Sequence, residues 1–263
     1  MLDSALNFVP TFVLVVFRLA GMALYAPLFG SARVPKRVRL MLVLVLAFAF
    51  TQGVAPPAQL PETSWGLALG IGGEMMFGLA MGMVMSFVFV AVQWAGEIIG
   101  QQMGFNLGSV IDPEYGGQGS VMGDLYFMFS LVVFLWIGGH RSMLRGVRAS
   151  FDALPLLSLS VNHDLLKLLL DLFHAATILA VQLAAPILVT FLVVDLVLGL
   201  IGRTIPQMNV MSAALSVRSG LGILIVLLGV SLTGNVIAKA IENSMEQVRI
   251  GWVTAPGSAP AVK

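Results

Sequence analysis

Apolar residues gather into long runs at about 8–30, 40–56, 65–95, 125–139, 165–201 and 209–238, separated by shorter polar linkers. Crossing a bilayer takes about 20 such residues as a helix, so the pattern predicts membrane-inserted helices of uneven length. Drawn as one helix at 1.5 Å per residue, the run 165–201 would extend about 55 Å, nearly twice the ~30 Å hydrocarbon core. Pro186 lies inside it, and an interior proline removes a backbone donor and kinks a helix. Two half-helices or a helical hairpin are therefore expected there. The run 125–139 is the opposite case, too short to span comfortably alone. Between Trp65 and Met83 the strong inserters are Leu67, Leu69, Ile71, Phe77 and Leu79. Together they supply only about −1.5 to −3 kcal/mol of insertion energy. Glu74 sits at the centre of that stretch, where a charge costs about +2.5 to +3.5 kcal/mol. This segment is expected to lie against protein rather than lipid.

Charge changes the picture of how the runs are threaded. The linker 31–39 carries Arg33, Lys36, Arg37 and Arg39, and 140–164 carries Arg141, Arg145 and Arg148. Both look cytoplasmic under the positive-inside rule. The linker 97–124 holds Glu97, Asp112, Glu114 and Asp124 with no basic residue. If every run spans once, the two basic linkers fall on opposite sides, so one run is re-entrant or hairpinned, or the chain is not a serial bundle. Composition sets the class: 58% of the 263 residues are hydrophobic and 10% charged, against about a quarter charged in soluble domains. A soluble enzyme domain is excluded, and an integral membrane protein is expected. A net charge of +1 speaks against nucleic acid as a partner. The absence of cysteine removes disulfides, thiolate metal sites and a cysteine nucleophile. Asp3 and the lack of a basic residue before the first run do not fit a cleaved signal peptide, so that segment is expected to stay. One integral domain over 1–253 and a disordered tail over 254–263 complete the layout.

The most specific pattern is small residues at every fourth position. Gly66, Gly70, Glu74, Gly78, Gly82 and Ser86 form one series, and Gly96, Gly100, Gly104 and Gly108 another. Residues i and i+4 share a helix face, and small ones let backbones approach closely. This is either ordinary helix packing or a seam between subunits, with Glu74 held by a partner's donor. Met75, Met76, Met81, Met83 and Met85 lie beside the first series; they are either a deformable seal or plain filler. From Gln93 the chain keeps Glu97 and Gln101 at i+4 spacing, then loses regularity at Gly104-Phe105-Asn106-Leu107-Gly108, Asp112-Pro113 and Gly116-Gly117-Gln118-Gly119. Irregular backbone at membrane depth is tolerated only inside protein or along a wet cavity. The segment is thus an internal loop lining or closing a passage, or an ordinary extramembrane loop. Arg18, Asp171 and Asp195 are charges within apolar runs, and Asp195 and Arg203 could share a helix face without touching. An ion-pair role is favoured over a proton relay for them. His140, His163 and His174 are scattered, with no metal-ligand spacing, and neither a nucleophile elbow nor a phosphate-binding loop occurs, so no catalytic site is expected.

Taken in order, several short motifs resemble the FliR/SctT family of the type III secretion export gate. They are Arg18, Pro27-Leu28-Phe29-Gly30, Val34-Pro35 with Arg37 and Arg39, and Gly73-Glu74 with Gly78 and Gly82. Then follow Gly96-Glu97 with Ile99-Gly100 and Gln102, Asp112-Pro113, Gly138-Gly139-His140, Leu154-Pro155, and Asp195, Gly199, Arg203, Pro206-Gln207 and Asn209. Each is weak alone; their order and spacing cover nearly the whole chain.

The resemblance implies an all-α fold of polytopic, membrane-derived helical hairpins with broken helices, packed in a helical multi-subunit assembly. It implies a non-enzymatic subunit without cofactor or metal, present once beside several FliP-like and FliQ-like subunits, with FlhB-like and FlhA-like proteins at the base. The location would be the bacterial inner membrane at the flagellar basal body, and the cargo unfolded flagellar proteins. By the same resemblance Phe105, Asn106, Leu107, Gly108, Val110, Ile111 and Asp112 form a plug loop, although Leu107 and Val110 stand where relatives often carry phenylalanine. Gly66, Gly70, Glu74, Gly78, Gly82, Gly96, Glu97, Gly100 and Gly104 would be subunit-packing positions. Arg18, Asp195 and Arg203 would be buried polar groups, and Met75–Met85 a gasket. The alternatives are an injectisome gate subunit and an ion-coupled secondary transporter. Transporters usually carry matched broken helices, and the Pro186 break has no twin in the N-terminal half.

Overall fold

A computed structural model describes residues 2–27, 34–57, 60–105, 120–157, 163–204 and 210–253. The described regular structure is helical throughout: α1 (Leu2–Tyr25), α2 (Lys36–Thr51), α3 (Ser64–Gln102), α4 (Val121–Trp136), α5 (Gly139–Ala153), α6 (His163–Thr204) and α7 (Val210–Val253). The greater part of every apolar run found in the sequence lies in one of these helices, because a backbone in an apolar medium must satisfy its own hydrogen bonds. The tail 254–263 lies outside the described residues.

Contacts divide the chain into two compact units. The first holds α1, α2, α3 up to Phe87, α5, the start of α6 and the end of α7. There α1 packs on α2, with Phe8 edge-on to Phe48 at 6.1 Å. Leu14, Val15, Leu19, Val43, Ala47, Phe77, Val84, Met143 and Val147 are buried. The second holds α3 from Val88, α4 and most of α6 and α7. Its core gathers Val92, Ala95, Ile99 and Met103 with Phe89, whose ring meets Phe134 edge-on at 5.4 Å.

Two expectations of broken structure come out differently. The short run ends in α4, and the chain turns at Gly138, in the left-handed region with φ 72°, into α5. The run 125–139 is thus interrupted by that turn, a break of the kind the charge asymmetry called for. The run around Pro186, by contrast, is not split: α6 is one helix of 42 residues with the proline inside. Pro186 costs the helix one bond, the N–H that would reach the Gln182 carbonyl; beyond it the Thr190 hydroxyl donates back to the Pro186 carbonyl at 2.8 Å and the helix continues.

Burial is unevenly shared. Of the most apolar 18-residue window in each long helix, 56% is buried within the chain in Ser64–Gln102, but only 17% in Leu169–Thr204 and 11% in Ala214–Glu246.

Candidate functional site

The small-residue series on α3 resolves into a succession of close approaches within the first unit. A Cβ at Gly70 would stand 2.3 Å from Cδ2 of Leu157. At Gly78 it would meet the carbonyl oxygen of Arg18 at 1.8 Å, and at Gly82 that of Met22 at 2.5 Å. The opposing glycine is Gly21 on α1, whose Cβ would fall 2.2 Å from the Met75 carbonyl oxygen. Backbone meets backbone here because nothing larger than hydrogen fits, as in small-xxx-small packing. The occupant of this face is therefore α1 of the same chain at Gly78 and Gly82.

Glu74 interrupts the glycines at the point where a polar group has something to bind. It is fully buried, as is Arg18. Arg18 Nε donates to Glu74 Oε2 at 2.5 Å. Its other nitrogens donate to the carbonyl oxygens of Ser150 and Leu154, at 3.2 Å each. Those carbonyls lie at the C-terminal end of α5, the negative end of the helix dipole; that of Ser150 also accepts the Leu154 N–H at 3.0 Å, and Leu154 is the C-cap. The guanidinium also lies 4.5 Å from the Phe151 ring centroid and 4.9 Å from that of Phe77, a favourable cation–π geometry. The second carboxylate oxygen of Glu74 accepts the backbone N–H of Leu157 at 2.9 Å. Leu157 has φ 65°, a conformation that is uncommon for a residue with a Cβ. One ion pair thus ties α1, α3, the end of α5 and the turn after it. The sequence reading offered a donor from another subunit for Glu74; the donors are Arg18 and Leu157 of its own chain.

In the second unit the next glycines of α3 seat the start of α4. A Cβ at Gly96 would meet the Met122 carbonyl oxygen at 2.5 Å, and at Gly100 the Met122 Cβ at 3.0 Å and Ser120 Oγ at 3.1 Å. In return Gly123 admits the Cγ of Glu97 at 2.8 Å from its would-be Cβ. Gly104 has a different role from the packing one expected of it. With φ 78°, it closes α3: its N–H binds the Gln101 carbonyl at 3.1 Å and the Phe105 N–H binds that of Gly100 at 3.0 Å. These are the paired bonds of a Schellman cap. At the other side Ser120 caps α4, accepting the Gly123 N–H at 3.2 Å. The described residues on either side of 106–119 therefore meet, Ser120 lying against Gly100. The segment itself, with Asn106, Leu107, Gly108, Val110, Ile111 and Asp112 of the expected plug, lies outside the described residues; Phe105 is half-buried.

The remaining polar expectations divide. Asp195 and Arg203 are not buried: both are exposed in the chain. Asp195 does form an ion pair, with Arg218 of α7 rather than within its own helix. The five methionines do not share one environment: Met81 and Met85 are buried, Met75 and Met83 half-buried and Met76 exposed. Gly66 belongs to the start of α3, its N–H bound to Thr63 Oγ1 at 3.3 Å. Gly21, Ser150, Leu157 and Arg218 are not singled out from sequence, and Leu154 only as part of the Leu154-Pro155 motif. Arg18 and Glu74 were both visible as opposite charges in apolar runs, which is a signal for pairing. Nothing local marks Leu157. Among the described residues no cluster of three His, Cys, Asp or Glu could hold a metal ion.

Comparison with known proteins places this geometry. The family model for bacterial export proteins, family 1, matches residues 9–244. The flagellar biosynthetic protein FliR of Bacillus subtilis is 28% identical over 94% of this chain and 96% of its own length. FliR of Escherichia coli is 30% identical over 74% of each chain. The surface presentation of antigens protein SpaR of Shigella flexneri is 30% identical over 81% of this chain and 82% of its own.

Proposed function

Since the chain belongs to the bacterial export proteins, family 1, the FliR/SctT family, and is a multi-pass component of a type III export gate, we propose that it helps form and close the conduit of the flagellar gate. In this reading it is non-enzymatic and sits in the inner membrane at the basal body. Unfolded flagellar subunits pass through a channel that it builds with FliP-like and FliQ-like neighbours, on a base of FlhB-like and FlhA-like proteins. The observation that carries the closing role is the placement of the described flanks of 106–119: the Gly104 cap ends α3, the Ser120 cap opens α4, and Ser120 lies against Gly100. A segment whose two flanks are capped and neighbouring can fill a passage without being carried through it.

Two further features support the reading. Helices α6 and α7, about 63 and 66 Å long at 1.5 Å per residue, exceed a ~30 Å lipid core and are almost uncovered by the chain itself, as suits a subunit among neighbours. The FliR of Bacillus subtilis aligns over more of the chain than SpaR does, which favours a flagellum over an injectisome.

Deleting residues 106–112 from the chromosomal copy tests the closing role. Ions should leak across the membrane, read with a potential-sensitive dye, while the gate still assembles. An assembled gate with unchanged permeability refutes it. Removing the whole chain should abolish hook and filament secretion and motility; if motility persists, the flagellar assignment fails.

A further inference from the structure

Helix α5 has a buried side and a basic side. Met143, Val147, Ser150 and Phe151 are buried in the first unit. On the opposite face Arg141, Arg145 and Arg148, at i, i+4 and i+7, are all exposed. None of the three forms an ion pair among the described residues. Arg145 donates only to its own helix, to the Arg141 carbonyl at 3.5 Å and Ser142 Oγ at 3.3 Å, and Arg148 makes no hydrogen bond among the described residues. Asp152 is exposed on the same face, so three arginines less one aspartate leave it at +2.

At Arg148 this basic side meets apolar surface. Its guanidinium stands close against Gly53, just past the end of α2: a Cβ there would lie 2.9 Å from both Nη1 and Nη2. The rings of Phe50 and Phe151 come within 6.4 Å at the same junction. Running back from it along α2, Phe48, Val45 and Met41 are 55, 66 and 67% exposed, and their spacing puts them on one face. Between Met41 and the C-cap Gln52 this stripe is about 17 Å long at 1.5 Å per residue, close to one leaflet of a ~30 Å hydrocarbon core. Exposed apolar surface of this kind marks a contact with membrane or protein.

We propose that Arg145 and Arg148 bind the headgroup of an anionic phospholipid whose acyl chains lie along Met41, Val45 and Phe48. A stripe one leaflet long that ends at an unpaired guanidinium matches such a molecule in both length and polarity. Guanidinium groups pair with phosphate oxygens in a two-pronged fork. A basic helix face beside apolar surface is the arrangement that attracts anionic lipid. A zwitterionic lipid fits less well, because it brings its own cation to a face already at +2. An acidic water-borne peptide would answer the charge and leave the stripe bare. The inference needs a membrane around the chain but no conduit, so it stands apart from the closing role of 106–112.

The test uses the full chain in its assembled gate, in mild detergent, with phosphatidylglycerol or phosphatidylcholine carrying a photoreactive acyl chain. After illumination, peptide mass spectrometry should find the α2 peptide labelled at least about fivefold more by phosphatidylglycerol. Arg145→Gln with Arg148→Gln should bring the two lipids to equal labelling while the chain still co-purifies with the gate. No labelling of that peptide, equal labelling in the parent, or an unchanged preference in the double variant overturns the proposal. In whole membranes, a photoreactive amino acid at Val45 identifies the occupant directly. Cross-links to phospholipid are expected; cross-links to another protein chain overturn the proposal. Both substitutions change exposed side chains, and should the double variant fail to accumulate, the parent's lipid preference and the Val45 cross-link decide. An unchanged permeability after deleting 106–112 would sink the closing role and leave the lipid labelling as it is.

Discussion

Replacing Arg18 with methionine keeps a long, flexible side chain and removes the charge that holds four parts of the first unit together. The substitution abolishes the 2.5 Å bond to Glu74 and those to the Ser150 and Leu154 carbonyl oxygens. It also removes cation–π contacts with Phe77 and Phe151, each about 0.5–1 kcal/mol or more when desolvated. Glu74, fully buried, is left with a single donor, the Leu157 N–H. Breaking a buried pair from one side costs about 3–5 kcal/mol, roughly a hundred- to several-thousand-fold in the folding equilibrium. Glu74→Leu should fall toward the lower end of that range, because Arg18 keeps its carbonyl acceptors and its rings. Combining the two removes the uncompensated charge, so the double variant should recover at least about 2 kcal/mol relative to the sum of the single losses. The assay is denaturant or thermal unfolding of the purified gate in mild detergent, read by protease resistance of this chain. An Arg18→Met variant within about 1 kcal/mol of the parent, or a double variant equal to the sum, refutes the argument.

Two glycine substitutions make the packing argument quantitative. Gly78→Ala puts a Cβ 1.8 Å from the Arg18 carbonyl oxygen, so α1 and α3 must separate and the thermal midpoint of the gate should drop. Gly72→Ala on the same helix has nothing within 4 Å and should stabilise by about 0.5–1 kcal/mol through helix propensity; equal effects from the two would sink the close-approach reading. Gly138→Ala also meets open space, but its φ of 72° should make it destabilising by about 1 kcal/mol, measurable in the same unfolding experiment.

Much of the site was legible along the chain because helical spacing alone puts i and i+4 on one face. That is why Gly66–Gly82 and Gly96–Gly104 stood out, and why Glu74 was marked as unsuited to lipid. The series did not say what would occupy the face. Gly104 obeys the spacing yet serves as a cap, since what distinguishes it is a positive φ, and spacing carries no dihedral information. Pro186 was a fair reason to expect a break, but its backbone cost is local and a membrane helix can absorb it, so α6 runs on.

Sequence by itself determined the helices, their apolar character and the small-residue faces, because these follow from hydropathy and a 3.6-residue period. Only the tertiary structure decided that the donor for Glu74 is Arg18, 56 positions away, and that the pair also holds the end of α5 and the Leu157 turn. It alone showed that Asp195 finds Arg218 on the next helix instead of Arg203 on its own. The physical reason is the same in each case. Periodicity fixes which way a side chain points, whereas its partner depends on which distant backbone is allowed to come close, and that is settled only when the helices pack.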